Sequence, residues 1–216
     1  MKRLIKEEVL FDLYSNYVGL SNLVIGCGTG DELQAIAINF KRYNFTGVDI
    51  NVLEDQRGAN WFRTNQDAHS LQFLSETFDF IYCYHVLEHV ENPEVVLNEI
   101  SRTLKNTGFL FIGIPNKSRL LGYFSSATTI KNKIRWNLVD LKHKVFRKFE
   151  NRYGAHAGFT YREMKEILDV RFNNVQNITD QYYLQLYPKH RIILQFLNFL
   201  GFSKYMYPSI YFVASF

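Results

Sequence analysis

The stretch Val24-Ile25-Gly26-Cys27-Gly28-Thr29-Gly30-Asp31-Glu32 places three glycines within five residues. Two apolar β-branched residues precede the glycines, and a helical pattern follows them. Glycines this close together cost backbone entropy, which indicates a turn that needs a left-handed backbone or the close approach of a ligand. A strand, a glycine turn and a helix in this order are typical of nucleotide binding beside the first strand of a parallel sheet.

Two features of this turn argue against a phosphate ligand. Gly26 and Gly28 fit the dinucleotide pattern G-x-G-x-x-G, but Asp31 stands where the third glycine is required. That carboxylate would lie at the helix N-terminus and repel a phosphate. No Gly-Lys-Ser/Thr follows, so a Walker loop is not predicted either. A nicotinamide oxidoreductase is therefore kept only as a less favoured interpretation of the chain.

A second segment with chemical potential is His85-Val86-Leu87-Glu88-His89, directly after an apolar run. The order H-x-x-E-H occurs in zinc proteases, but there it lies within a longer helix. One alternative is that His85, or His156 further along the chain, acts as a general base, since imidazole exchanges protons at neutral pH. Another places His85 at the mouth of a pocket, with Glu88 and His89 capping or packing the following helix.

Apolar runs and helical patterns alternate around these motifs. Strands are predicted at Leu23–Ile25, Phe45–Ile50, Asn60–Thr64, Phe78–Tyr84, Phe109–Ile114, near Ile178 and at Ser209–Phe216. Helices are predicted at Asp31–Phe40, Pro93–Thr103 and Ile192–Phe202, and from Thr160, where T-x-x-E is a capping-box pattern. A turn is predicted at Asn106-Thr107-Gly108. The alternation predicts a single α/β domain over residues 1–216, with a doubly wound, mostly parallel, seven-stranded Rossmann-like sheet.

The composition of the 216 residues is that of a globular chain, long enough for one sizeable core. No run approaches the roughly 18 uninterrupted apolar residues of a membrane span. Acidic residues interrupt the basic start of the sequence, so no signal peptide is predicted and the protein is expected to be cytoplasmic. Cys27 and Cys83 are interpreted as small, buried, reduced side chains.

Positive charge is concentrated in residues 117–152, where ten Lys and Arg face two acids, Asp140 and Glu150. Apolar residues recur every three or four positions from Ile130 to Phe149, which predicts an amphipathic helix. Three interpretations of this basic helical insert stay open: a substrate lid, a contact with an anionic membrane surface, and a packed helix with solvated lysines. The rest of the chain is mildly acidic, unlike a uniformly basic nucleic-acid-binding protein.

Together these segments resemble class I S-adenosylmethionine-dependent methyltransferases, in particular the methyltransferase type 11/12-like group that includes ubiquinone-biosynthesis O-methyltransferases. The resemblance runs from about Leu23 to Thr179, and the motifs stand in the family's order: VIGCGTG, FTGVDI, NQDAHSL, FDFIYCYHVLEHV and NPEVVLNEISRTLKNTGFLFIGIPN. Each motif alone is weak, whereas five in register are specific. One departure is Val24, where the family usually has an acid near the cofactor's amino-acid end.

The resemblance implies S-adenosylmethionine as the cofactor. In the family's arrangement the glycine turn approaches the methionine part, the acid of the second motif holds the ribose, and the third motif lies near the adenine. The residues expected at the cofactor are Gly26, Cys27, Gly28, Gly30, Asp49, Ile50, Asp67, Ala68 and Tyr84.

A divalent metal is a further expectation from the resemblance. Some members of the superfamily hold an ion through an E-x-x-E-H segment and a later histidine. The matching residues here are His85, in place of the first Glu, then Glu88, His89 and His156. Such an ion would bind the substrate's hydroxyls and favour the alkoxide.

The sequence therefore predicts methyl transfer, chiefly to oxygen, on a small-molecule, lipid-linked or glycan acceptor. Residues 180–208, rich in tyrosine and other apolar residues, form a second predicted insert on the acceptor side. The alternatives are a cofactor-binding accessory protein without catalysis and an RNA methyltransferase. No aromatic-stacking module is apparent, so nucleic acid is the less favoured partner. The identity of the acceptor and the oligomeric state stay open.

Overall fold

The computed structural model describes residues 9, 12–119 and 158–216, and isolated positions between 129 and 138. One sheet of eight strands organises them. The strands in chain order are β1 Ser21–Ile25, β2 Asn44–Asp49, β3 Gln56–Arg57, β4 Trp61–Asn65, β5 Phe78–Tyr84, β6 Leu104–Pro115, β7 Asn174–Asn177 and β8 Ser209–Ser215.

The strand order β3-β4-β2-β1-β5-β6-β8-β7 reverses between β1 and β5. The four pairings from β4 to β6 are parallel, whereas β3, β7 and β8 pair antiparallel with their neighbours. The prediction of a doubly wound, mostly parallel sheet is confirmed. The strand number differs because β3 has only two residues, too few to give a periodic signal in the sequence.

Helices cover both faces of this sheet. They are α1 Asp31–Asn39, α2 Pro93–Thr103, α3 Tyr161–Asp169, α4 Thr179–Leu186, α5 Arg191–Phe199 and α6 Ser203–Met206, with 3-10 turns at Ser15–Tyr17 and Pro188–His190. Side chains alternate across each strand, so Leu23 and Ile25 pack on one side while Val24 packs on the other. A strand buried on both faces reads as a nearly continuous apolar run, which is why β5, apolar except for Asp79, is clear in the sequence.

Two predicted boundaries are wrong. The turn at Asn106-Thr107-Gly108 lies inside β6, where pairing steps from Phe78–Leu104 to Phe80–Phe109, so these residues form a bulge. The helix predicted at Ile192–Phe202 is divided at Gly201. This glycine has φ +74, and Gly201 N donates to Asn198 O while Phe202 N donates to Leu197 O. These two bonds are those of a Schellman motif, which ends α5.

Most of the predicted basic insert at residues 117–152 lies outside the described residues, and so does His156. The lid and the role of His156 therefore stay predictions. The second predicted insert, residues 180–208, corresponds largely to α4, α5 and α6.

The predicted capping box at the start of α3 is present. Glu163 N donates to Thr160 Oγ1 at 3.1 Å, and Thr160 N donates to Glu163 Oε2 at 2.8 Å. Replacing Thr160 with Ala removes one of these acceptors, so it should lower the free energy of unfolding by about 1 kcal/mol in urea titrations. Thr160→Ser keeps the hydroxyl and is the control. Equal stability of the two variants would contradict the role of this cap.

Candidate active site

The backbone between β1 and α1 bends through three left-handed glycines. Gly26, Gly28 and Gly30 have φ values of +71, +50 and +90. Gly26 N and Cys27 N both donate to Val48 O, at 2.8 and 3.1 Å, so the end of β2 holds the bend. Left-handed backbone is open to glycine and costly for other residues, which explains the glycine spacing.

The Asp49 carboxylate, at the end of β2, lies directly against this bend. Asp49 Oδ2 accepts a hydrogen bond from Gly28 N at 2.9 Å. Asp49 Oδ1 accepts from Asn51 N at 2.8 Å and from Asn51 Nδ2 at 3.1 Å. The structure thus brings together the first two predicted motifs, and Asp49 is only half-buried, so its oxygens can accept further hydrogen bonds.

Two buried side chains, Arg63 and Cys27, pack at the bend. Arg63 on β4, which the sequence analysis missed, is buried and donates from Nη1 to Gly28 O at 2.7 Å. The sequence signal that could have indicated its role is a charged residue in the middle of the short strand Trp61–Asn65. Cys27 is also buried, and desolvation, followed by the charge of Asp49, raises the pKa of its thiol to about 11. Cys27 therefore stays protonated at neutral pH, as expected of a packing residue.

Across the reversal point, His85 follows the end of β5 with a strained backbone. Its φ is +54, an uncommon value for a residue other than glycine. His85 N donates to Gly113 O at 2.8 Å. His85 Nδ1 lies 2.8 Å from Glu88 Oε1, and the Glu88 side chain is fully buried whereas a third of His85 is exposed. A buried carboxylate therefore orients a partly exposed imidazole.

The two motifs contact each other. A Cβ at Gly26 would lie 2.3 Å from Val86 Cγ2, so only glycine lets the bend approach the segment that carries His85. The ring of Tyr84 packs edge-on against the His85 ring, with centroids 4.3 Å apart. Burial raises the pKa of the Tyr84 hydroxyl. Gly26, His85 and Tyr84 thus lie at one edge of the sheet.

The third predicted motif follows β4 at the same edge. Asp67 Oδ1 accepts from His69 N at 2.9 Å and lies 2.7 Å from His69 Nδ1. The backbone hydrogen bond from His69 is the largest cause that lowers the pKa of Asp67, so this carboxyl is ionised at neutral pH. Asp67 and Ile50 are exposed and Ala68 is buried.

The described part of the chain contains no group of three or more His, Cys, Asp or Glu side chains arranged to hold a metal ion. His85 and Glu88 contact each other directly, and His89 Nε2 lies 3.8 Å from Glu88 Oε1. These three residues do not form the predicted metal site among themselves. Because His156 lies outside the described residues, the four-residue site stays a prediction.

Comparisons with known proteins bear on this arrangement. Residues 23–112, from β1 into β6, match a family model described as a methyltransferase domain. A ubiquinone biosynthesis O-methyltransferase of Pseudomonas syringae pv. tomato is 24% identical, over 75% of this chain and 72% of its own length. Among solved structures, the plantazolicin methyltransferase BpumL in complex with SAH has a TM-score of 0.63 at 17% identity, covering 99% of this chain and 83% of that one.

Residues 23–112 of this chain are thus similar to a methyltransferase domain, and the chain as a whole shares the fold of solved methyltransferases. The chain spans about half or less of the first curated relatives it matches: 52% of an uncharacterized protein of Methanocaldococcus jannaschii at 32% identity, and 34% of (S)-coclaurine N-methyltransferase of Papaver somniferum at 30% identity. They cover 51% and 49% of this chain. The chain also shares its fold with the cyclase SpnF, at a TM-score of 0.54 and 14% identity over 95% of this chain and 78% of that one. The fold alone therefore does not specify the reaction.

The contact between Gly26 and Val86 predicts a difference between two left-handed glycines of this chain. Gly26 and Gly201 have similar φ values, +71 and +74, but a Cβ at Gly201 meets no atom within 4 Å. Gly201→Ala should therefore cost only backbone strain, about 1–2 kcal/mol. Gly26→Ala must in addition displace Val86, so it should cost about 1–3 kcal/mol more. Urea unfolding of both variants measures the difference, and equal losses would contradict the tight contact.

Proposed function

We propose that this protein transfers the methyl group of S-adenosylmethionine to a hydroxyl oxygen of its acceptor. The observation that carries the proposal is the pairing of His85 with the buried Glu88 carboxylate beside the glycine turn. This pair lies at the reversal point of the strand order, where doubly wound sheets bind their ligands. A cofactor site and a base therefore share one edge of the sheet.

The residues at the glycine turn fit the cofactor. A Cβ at Gly28 would meet no atom within 4 Å, so open space lies next to a left-handed backbone. In this proposal Gly26, Cys27, Gly28 and Gly30 line the methionine part of the cofactor. Asp49 and Ile50 hold the ribose, and Asp67 and Ala68 lie near the adenine. When bound, S-adenosylmethionine supplies a methyl group that its sulfonium already activates.

The remaining chemical task is to remove a proton from the acceptor hydroxyl. Because the Glu88 carboxylate accepts a hydrogen bond from Nδ1 of His85, Nε2 is the ring nitrogen that can take this proton. The burial of Glu88 excludes water from competing for its Oε1 atom, so the imidazole keeps one orientation. His85 acts as the base and Glu88 positions it. His156, the other candidate base, stays a prediction.

The acceptor in this proposal is a small molecule, or a lipid-linked or glycan molecule that carries the hydroxyl. Support comes from the relatives, several of which are named ubiquinone biosynthesis O-methyltransferases. The Tyr84 ring, which packs against the His85 ring with centroids 4.3 Å apart, suits an acceptor with an apolar body. The name of the coclaurine relative refers to nitrogen instead, so an amine acceptor is the outcome that would revise the proposal.

A divalent ion at His85, Glu88, His89 and His156 is retained as a separate hypothesis about acceptor activation. Its motivation is the spacing in the sequence, and no step above depends on it. Elemental analysis of protein purified without chelators tests it, and the absence of a stoichiometric ion would remove it.

Asp49 gives the first test of the cofactor site. Hydrogen bonds to a charged group contribute about 1.5–3 kcal/mol each, so Asp49→Ala should weaken S-adenosylmethionine binding about tenfold or more in calorimetry. Asp55→Ala, which removes an exposed acid on the same loop, is the matched control and should leave affinity unchanged. Unchanged affinity in Asp49→Ala would count against the cofactor assignment, provided that thermal unfolding shows a folded protein.

The base is tested by formation of S-adenosylhomocysteine with a panel of hydroxyl and amine acceptors. His85→Gln and Glu88→Gln should each lower the turnover of a hydroxyl acceptor about a hundredfold or more, because general-base catalysis contributes about 10²–10⁴-fold. Cofactor affinity should not change in either variant. Glu166→Gln, at an exposed carboxylate paired with Arg162, is the control.

Two outcomes would overturn this assignment. Full turnover in His85→Gln would exclude His85 as the base. Turnover of amines alone would place the methyl group on nitrogen. If the wild-type protein binds the cofactor but converts no acceptor of the panel, the accessory-protein alternative is favoured.

A further inference from the structure

Helix α5 carries a large apolar surface that the rest of the described protein leaves uncovered. Ile192 and Phe199 are 82% and 86% exposed, and Ile193 and Phe196 are each more than half exposed. The surface continues through four further exposed apolar side chains: Leu200, Phe202, Tyr205 and Met206. We refer to these eight residues as the α5 surface. Monomeric proteins seldom expose an apolar patch of this extent without a use for it.

The exposed side chains form one face of α5, and the opposite face of this helix packs against the rest of the protein. At about 100° per residue, positions 192, 193, 196, 199 and 200 fall within an arc of about 120°. Leu194 lies on the opposite side and is buried in the core. Asn198 Oδ1 accepts a hydrogen bond from Tyr207 Oη at 2.7 Å, which also ties α5 to the body. The packing of Leu194 and the hydrogen bond of Asn198 hold one side of α5 against the protein. The opposite, apolar side is therefore exposed on a well-anchored helix.

Basic residues border the α5 surface. Lys189 and Arg191 lie at the start of α5, and Lys204 lies on α6, with its Nζ over the Tyr205 ring. Residues 181–216 contain no Asp or Glu. Cations at a helix N-terminus oppose the helix dipole, so Lys189 and Arg191 do not serve the stability of α5. Their charge is suited to an anionic partner.

We propose that the α5 surface docks on an anionic lipid membrane, with α5 lying in the plane of the headgroups. An apolar arc with aromatic residues, flanked by Lys and Arg, is the composition of a helix that binds a membrane interface. The helix has nine residues, and no helix in the described ranges is long and apolar enough to cross a bilayer. Its contact with a membrane is therefore interfacial.

A second copy of the chain is a poorer occupant for electrostatic reasons. In a two-fold dimer the same patch of both copies meets, so Lys189, Arg191 and Lys204 of each copy would surround one apolar centre. Residues 181–216 provide no carboxylate to offset these charges. Anionic lipid headgroups provide the missing negative charge and acyl chains accept the apolar side chains.

The α5 surface is tied to the edge of the sheet that carries the candidate active site. Asn116 directly follows β6, and its Nδ2 donates to Lys204 O at 2.9 Å and to Tyr207 O at 2.8 Å. Because β5 and β6 are parallel, Asn116 lies at the same edge as His85. Docking through α5 therefore brings this edge near the membrane.

Vesicle flotation with the full-length protein tests the proposal, using phosphatidylcholine vesicles with and without phosphatidylglycerol. The wild-type protein should float with the anionic vesicles, and binding should weaken as salt is added. The double variant Phe196→Glu with Phe199→Glu should bind at least about tenfold more weakly. Leu74→Glu with Val170→Glu is the matched control, since it also replaces two exposed apolar residues with acids and should bind anionic vesicles more strongly than the Phe196/Phe199 variant.

A second pair of variants tests how much the basic residues contribute to membrane binding. Lys189→Gln with Arg191→Gln should weaken binding to anionic vesicles and reduce its salt dependence. Lys41→Gln with Arg42→Gln, which removes two exposed cations next to α1, should have a smaller effect. The residues replaced at positions 41, 42, 74, 170, 196 and 199 are all exposed. The melting temperatures of these variants should therefore be close to that of the wild-type protein.

Three results would overturn the proposal. The first is no preference of the wild-type protein for anionic vesicles. The second is unchanged vesicle binding by the Phe196/Phe199 variant, which would place any membrane contact elsewhere in the chain. The third is a wild-type dimer in light scattering that the same variant converts to a monomer without changing vesicle binding. The assay contains neither cofactor nor acceptor, so its outcome is independent of the proposed function.

Discussion

The hydrogen bond from Gly28 N to the Asp49 carboxylate joins the ends of two neighbouring strands. Val48 O reinforces it by accepting from Gly26 N and Cys27 N. Both contacts require that β1 and β2 keep their register, in which Ile25 lies opposite Val48. A shift of one residue would turn each side chain of β2 to the other face and separate Asp49 from the turn. The geometry of the candidate cofactor site therefore depends on the pairing of these two strands.

The other half of the site depends on strain that the surrounding structure maintains. A residue other than glycine in the left-handed region costs on the order of 1–3 kcal/mol, and such residues cluster at active sites. His85 is held there by its backbone bond to Gly113 and by the Glu88 carboxylate. The glycine bend and the His85–Glu88 pair are thus parts of one packed unit.

The α5 surface shows a different balance of forces. One side of α5 is fixed by Leu194 and by the bond between Asn198 and Tyr207, while the opposite side exposes isoleucine and phenylalanine. The cost of exposing these side chains to water persists in the free protein and is relieved when they are covered. The Asn116 side chain connects this surface to β6, so the glycine bend, the His85–Glu88 pair and the exposed face lie at neighbouring parts of one sheet edge.

Elements whose signals are local could be predicted from the order of the residues alone. The boundaries of β5 and α2 agree with the predictions, because β5 is apolar except for Asp79 and α2 begins at a proline after an asparagine cap. The glycine turn and the capping box of α3 were likewise predictable, since each is specified by residues within five positions of one another. The expectation that Asp49 lies at the cofactor came from the resemblance of FTGVDI to the second motif of the family, and the structure brings Asp49 against the glycine turn.

Contacts between residues far apart in the chain depend on how the elements pack and could not be predicted. Arg63 meets Gly28 across 35 positions, and the two-residue β3 exists because β4 offers it an edge. Periodicity predicted a helix near residues 192–202 but not which of its faces is covered. A helical pattern specifies which side chains share a face, whereas burial depends on what packs against that face. The exposure of Phe196 and Phe199 and the burial of Leu194 and Glu88 were therefore set by long-range packing.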